Sequence, residues 1–366
     1  MSVTFERFLI GFCILLSALS PHMARAQTLT PDTVVTMKAK VLAVISSTER
    51  DIPGTTTGTN YQTIKVEVLD GVEKGNDVTV ENDFLNMKVG DLFYLTHTVN
   101  KLDATDYYSV SEPYRLPQLA ILFLIFIGVV LYFGGKQGAR GLLSLGASLF
   151  AILFLLLPGV LHGYSPILVS VGVASLIVVI GSYVTHGFNK TTSTAILGMI
   201  TTIFFTGALA YWAIPFAHLS GFTTEEAASL NVDTNGTLDL AGLLVGAILI
   251  GTLGVLYDAA IGQAVSVEEL ADAAPDLTHA QVYKRALRIG REHIGALVNT
   301  LAIAYVGASL PLLLLFYGFG SDSIAMNINR ELFATEIVRA IVGSIGLVLA
   351  VPITTAIATR ILVDNK

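Results

Sequence analysis

The chain has 366 residues, 53% of them hydrophobic and only 13% charged, with a mean hydropathy of +0.69. A soluble globular protein carries about 25% charged residues, so this is the composition of a membrane protein. The net charge of −7 is mild, no basic block points to nucleic acid, and the single cysteine, Cys13, excludes internal disulfides, zinc ribbons and thiol redox pairs.

At the N-terminus, Arg7 precedes an apolar run of 12 residues, Phe8 to Leu19, and then come Pro21 and Ala24-Arg25-Ala26. This is the order of a cleavable secretory signal over residues 1–26. The run is short for a spanning helix, which needs about 20 residues. An uncleaved signal anchor is the alternative, and either one exports the residues after it. Cys13 lacks the small preceding residue of a lipoprotein anchor.

Residues 27–114 change character. VVTMKAKVLAVIS, QTIKVEVLD, DVTVEN and DLFYLTHTV are β-branched or alternating runs that read as strands. Turn chemistry separates them at Pro53-Gly54, the TTTGTN stretch, Gly75-Asn76 and Gly90-Asp91. The expectation is a small N-terminal extracytoplasmic β-barrel or OB-like domain of five or so strands. It acts either as a folded cap or as a binding module for an extracytoplasmic protein partner. His97 reads as a surface or packed histidine, since no metal-spaced cluster surrounds it.

The remainder, 115–366, reads as an α-helical polytopic membrane domain of about seven transmembrane helices. The expected spans are 117–134, 142–161, 166–185, 192–214, 239–262, 294–316 and 338–359, each near the ~20 residues a bilayer demands. With the β domain outside, the inner loops carry Lys136, Arg140, Lys190, Lys284, Arg285, Arg288, Arg291, Arg360 and Lys366. Only Arg115, Arg330 and Arg339 fall outside near the spans. That bias satisfies the positive-inside rule and puts the C-terminus in the cytoplasm of a plasma (inner) membrane protein. Gly242 and Gly246 in the fifth span, and Gly343 and Gly346 in the seventh, read as points of close helix approach.

One acid, Asp258, interrupts the fifth span, with Gly251, Gly254 and Gly262 on its helical face. A carboxylate at mid-span costs about 2.5–3.5 kcal/mol, so it is expected to face a neighbouring helix rather than lipid. Asn299 and Thr300 in the sixth span, and Thr354 and Thr355 in the seventh, fall at a comparable depth. These residues are the transport candidates, a layer that would handle a proton or an ion through Asp258. On the other reading Asp258 sits wet at the inner interface and pairs with Arg288 or Arg291. Between the two spans, Thr278 and Gln281 form a capping box. They open an amphipathic helix, 278–293, expected along the inner leaflet. Its cations Lys284, Arg285, Arg288 and Arg291 would meet anionic lipid headgroups. His293, at its end, is a candidate proton relay.

Enzymatic motifs are thin. Tyr257-Asp258 is similar to the first aspartate motif of intramembrane aspartyl proteases, but no span carries the second, Gly-x-Gly-Asp. Gly307-Ala308-Ser309 has no histidine placed to act as base. No enzyme activity, cofactor or metal is expected.

GTLGVLYDAAIGQAVSVEEL, RALRIGREHIG and LVNTLAIAYVGASLPLLLLF together resemble the YibE/F-like family of multi-spanning bacterial membrane proteins. The resemblance implies an exported β domain followed by the spans, and it carries no established activity. Gln263 departs from the small or apolar residues usual around the aspartate. More distantly, Gly254 to Asp258, the basic helix and Asn299-Thr300 are similar to the transmembrane segments of the SecD/SecF and RND superfamily. That similarity implies proton-coupled work with Asp258 as the protonatable group, although the span number and the exported domain differ. The two functions carried forward are a transporter-like, proton-coupled membrane protein and a non-transporting scaffold or envelope assembly factor.

Overall fold

A computed structural model describes residues 33–51, 58–83, 85–100, 106–319 and 323–363. The expected signal sequence and the Pro53-Gly54 turn lie outside the described residues. The chain divides into two compact units, Met1–Leu124 and Ile125–Lys366.

The first unit is built on an antiparallel sheet of β1 (Thr33–Asp51), β2 (Gly58–Val68), β3 (Asp77–Asn82), β4 (Leu92–Val99) and β5 (Asp106–Pro113), in the order β3-β2-β1-β4-β5. The 19-residue β1 is its spine. Register shifts between Val41 and Ala43, and between Val44 and Ser46, mark where β1 bends. The sheet curls into a half-barrel whose edge strands, β3 and β5, approach each other without pairing. Alternate side chains fill its core: Met37, Ala39 and Val41 from β1, Ile64, Val66 and Val68 from β2, and Phe93 and Leu95 from β4. The polar residues Gln62 and Asn82 are buried beside them. The Gln62 side-chain amide donates to the Met87 carbonyl (3.2 Å), and the Met87 N–H donates to the Gln62 amide oxygen (2.8 Å). These bonds pin the β3–β4 loop without a disulfide. His97 is more engaged than its sequence context implied. It bridges Glu73 (2.7 Å) and Asp106 (3.3 Å) and stacks on Tyr108. Burial, and then the hydrogen bond the Tyr108 hydroxyl gives Glu73, push that phenol up to about 12.

The second unit is helical. α1 (Leu116–Ala151) starts within the first unit and continues through a π-helical turn, Ile152–Leu156, into α2 (Leu157–Leu161). Then come α3 (Pro166–His186), α4 (Lys190–Phe216), α5 (Glu225–Asp233), α6 (Leu240–Ala273), α7 (His279–Ala308), α8 (Leu310–Phe319), α9 (Ile324–Asn329) and α10 (Glu331–Leu362). Among the described residues, five helices are long and apolar enough to cross a membrane, or six if the α7–α8 pair, bent by 68°, counts as one. The sequence led us to expect seven. The difference lies at 117–134 and 142–161, which share one helical run of 46 residues. Gly135, with φ +52° and ψ −133°, breaks that run, and the Val130 carbonyl comes against Gly138. Eight residues along a straight helix would separate them by about 12 Å, so the chain doubles back at these glycines.

The bundle closes around α10, which packs against α4, α6 and α7, while α6 also packs against α3 and α4. The contacts are glycines facing hydroxyls. Gly198 of α4 meets Thr354 of α10, and Gly346 of α10 meets Thr206 of α4. Eight steps forward on one helix are eight steps back on the other, so the two are antiparallel. Gly343 of α10 takes Thr252 of α6, and Thr355 bonds Gln263 of α6, so α6 and α10 run the same way. Gly246 over Ser170, and the Tyr257 hydroxyl on the Gly181 carbonyl, make α3 and α6 parallel. α3, α6 and α10 therefore run one way and α4 the other. Gly246, Gly343 and Gly346 are points of close approach, as their spacing suggested. Gly242 is not: its neighbour is Asp239, the N-cap of its own helix, which accepts its N–H at 2.8 Å.

Gly346→Leu should force α10 off α4 and cost about 1–3 kcal/mol, whereas Gly254→Ala, with nothing within 4 Å, should change little. Thermal unfolding in detergent compares them. Gln62→Ala leaves the Met87 N–H and carbonyl unpaired, at about 1–3 kcal/mol. Amide exchange of residues 85–88 in the intact chain should quicken accordingly.

Candidate functional site

Asp258 is the only charged residue of α6 between Leu240 and Val267. Its surroundings correct the expectation from sequence. The face it shares with Gly254 and Gly262 is open, and both glycines have nothing within 4 Å. Asp258 is exposed and makes no ion pair among the described residues, so neither Arg288 nor Arg291 is its partner. Its electrostatic neighbour is His186, at the end of α3, which in turn lies tilted against the Tyr257 ring at 5.8 Å.

The carboxylate lines a cleft of about 310 Å³ between α6 and α7. Gly262, Gln263 and Ser266 of α6, Gly290, His293 and Leu297 of α7, and Val351 of α10 complete the walls. Gln263 is its buried floor, 4% exposed, and bonds the fully buried Thr355 at 2.8 Å. Gly290 makes room for that amide, since a Cβ there would lie 2.5 Å from Gln263 and from Val351.

Three helices do meet in one polar layer, but not through all the residues expected. α6 supplies Asp258 and Gln263, α10 supplies Thr355, and α7 supplies His293 in place of Asn299 and Thr300. Asn299 lies two positions beyond Leu297, about 200° further round the helix, and is exposed. The Thr300 hydroxyl turns back onto the Ala296 carbonyl (2.9 Å). Thr354, about 100° round α10 from Thr355, faces Gly198 and has no hydrogen-bond partner among the described residues.

The basic segment also differs from expectation. It is one continuous 30-residue helix with the apolar stretch after it, not a separate helix ending at 293. The capping box of Thr278 and Gln281 starts it as expected. Its apolar face is spent on protein: Val282 and Ala286 are buried with Val267 of α6 and Ala358 of α10. Lys284, Arg285, Arg288 and Arg291 are all exposed.

Sequence reasoning missed a second polar group on the same α6–α7–α10 seam. Tyr305 of α7 crosses Gly251 of α6 and Gly343 of α10. It interacts electrostatically with Arg339 and Glu336, themselves paired at 2.9 Å. The Tyr305 hydroxyl, Thr335 Oγ1 and Arg339 Nε are buried without a hydrogen-bond partner among the described residues. Leu301, 4% exposed, lies between this group and the cleft. The i,i+3 spacing of Glu336 and Arg339 was a visible signal, hidden because Arg339 counted only as a loop-side charge.

A family model described as YibE/F-like protein matches residues 122–364. The chain belongs to this family. The match takes in the cleft, the seam and every helix from α2 onward, and it begins after the half-barrel, so the family assignment rests on the helical unit of this YibE/F-like chain. No curated protein and no solved structure matches it.

Because the buried Tyr305 hydroxyl has no hydrogen-bond partner among the described residues, Tyr305→Phe should not destabilise and should raise stability by up to about 1–3 kcal/mol, with the melting temperature in detergent as readout.

Proposed function

We propose that this YibE/F-like chain is an inner-membrane protein of transporter-like build, coupled to protons through Asp258. The half-barrel stands on the extracytoplasmic side and the C-terminus in the cytoplasm. The observation that carries this reading is the cleft. The one acid in an otherwise uncharged stretch of α6 opens onto a cavity walled by three helices, at the level where Gln263 and Thr355 join α6 to α10. A carboxylate at such a depth costs about 2.5–3.5 kcal/mol to insert, so a resident acid there serves a path for protons or ions. His293 stands on the facing wall, and His186 is the electrostatic neighbour of Asp258 beyond the cleft.

The polar group at Tyr305, Glu336 and Arg339 supports the same reading. It occupies the other end of one seam, with Leu301 between. A seam polar at both ends and plugged between them is the layout of a path opened from one side at a time. The exposed cations of α7 would sit among anionic headgroups at the inner leaflet and hold that helix in depth.

A scaffold or envelope assembly role for the half-barrel is the second reading. A groove of about 580 Å³ favours it, lined by Met87, Asp91, Tyr114 and Arg115 among others and able to take a segment of an extracytoplasmic protein.

In liposomes carrying a pH-sensitive dye, the purified protein should dissipate an imposed proton gradient, and Asp258→Asn should reduce the rate at least about tenfold, the size expected when the group that carries the proton is lost. No proton movement by the native protein, together with full function of the variant in cells, would leave the scaffold reading standing.

A further inference from the structure

The cleft is lined by hydrogen-bond acceptors in a way that hydrogen-bond arithmetic reveals. The Thr355 hydroxyl has one hydrogen, yet it lies 2.6 Å from the Val351 carbonyl and 2.8 Å from the Gln263 amide oxygen. Both of those atoms are acceptors. The two ends of a glutamine amide are assigned from their hydrogen-bond network, so the consistent arrangement turns the amide over. Thr355 then donates to Val351, one turn back on its own helix, and accepts from the Gln263 nitrogen. That leaves the Gln263 carbonyl oxygen over Gly290 at the cleft wall, the end of the amide that makes no hydrogen bond to a described residue. Ser266 adds a second free acceptor, because its own hydrogen is given to the Gly262 carbonyl at 2.7 Å. Asp258 supplies a carboxylate to the same cavity. An amide oxygen on a side chain only 4% exposed needs a partner, and the cleft is where one can reach it.

We propose that this cleft binds a monovalent alkali cation, sodium in size and hardness, carrying part of its water shell. Carboxylate, amide carbonyl and hydroxyl oxygens are hard ligands suited to such ions rather than to soft metals. A single carboxylate balances one positive charge, so a divalent ion would leave the second uncompensated. At about 30 Å³ per water, the cavity holds on the order of ten waters, enough for a partly hydrated ion that contacts Asp258 and Gln263 in turn as it enters. This rests on Asp258 being the working group of the proposed function, and it adds a ligand class, since cation and proton compete for one carboxylate.

The test is thermal unfolding of the detergent-purified protein at mildly alkaline pH, titrated with sodium chloride against choline chloride at constant ionic strength. Sodium should raise the midpoint by a few degrees and saturate, as mass action requires, and choline should not. Asp258→Asn should abolish the shift. Gln263→Met should weaken the apparent affinity at least about tenfold, roughly one lost ligand to a charge. Ser266→Ala, a half-exposed position that should fold normally, should weaken it less. A flat response of the native protein overturns the proposal, as does a response to magnesium or calcium alone, or a sodium shift unchanged in both Asp258→Asn and Gln263→Met. Sodium binding without proton movement in liposomes would keep the site and sink the coupling, and proton movement without a sodium shift would do the reverse.

Discussion

The helical unit depends on one kind of contact, a glycine on one helix receiving a hydroxyl-bearing side chain from the next. Gly198 with Thr354 and Gly346 with Thr206 lock α4 to α10, Gly343 with Thr252 locks α6 to α10, and Gly246 with Ser170 locks α3 to α6. Among apolar helices in lipid there is little hydrophobic gain in association, so close packing and its dispersion energy must supply it. A threonine in a glycine notch does this and also sets register, because the notch admits one side chain at one height. Thr252 bonds carbonyls on its own helix and needs no partner across the interface, whereas Thr354 and Ser170 have no hydrogen-bond partner among the described residues.

That register places the chemistry. Because α6 and α10 run parallel and are pinned at Thr252, Gln263 comes level with Thr355 and can hold it. Because α7 runs the other way with Gly290 in contact, the gap left between α6 and α7 opens beside Asp258. The same packing that closes the seam at Leu301 leaves it polar at either end. Structure and candidate site are thus one set of contacts, with Gly290 serving both: it lets α7 approach and leaves space for the Gln263 amide.

The half-barrel obeys a different logic. It has no disulfide and a small core, so it draws on buried polar bonds to hold its loops. Gln62 ties Met87, and the His97, Glu73 and Tyr108 contacts tie the β2–β3 loop to β4 and β5. Its own strand β5, with the sequence DYYSVSEP, was the least visible of the strands, since its inward and outward residues differ little in polarity.

Local pattern alone determined a good deal about this protein. Hydropathy and length marked the helices, the capping box at Thr278 marked the start of α7, and alternating residues marked β1 to β4, because each of these signals is written within a few turns of chain. Asp258 stood out because a lone acid in an apolar run needs no context to be conspicuous. What tertiary structure decided was which faces meet. The glycine stripe beside Asp258 reads the same in sequence whether it meets a helix or stays open, and only packing shows that Gly251 meets Tyr305 while Gly254 and Gly262 stay open. Asn299 and Gln263 are both amides near the acid, yet a rotation of about 200° beyond Leu297 takes the first away from the cleft while the contact with Thr355 draws the second in. The bend that doubles α1 back likewise hangs on the backbone of Gly135, since a glycine permits such a turn without announcing it.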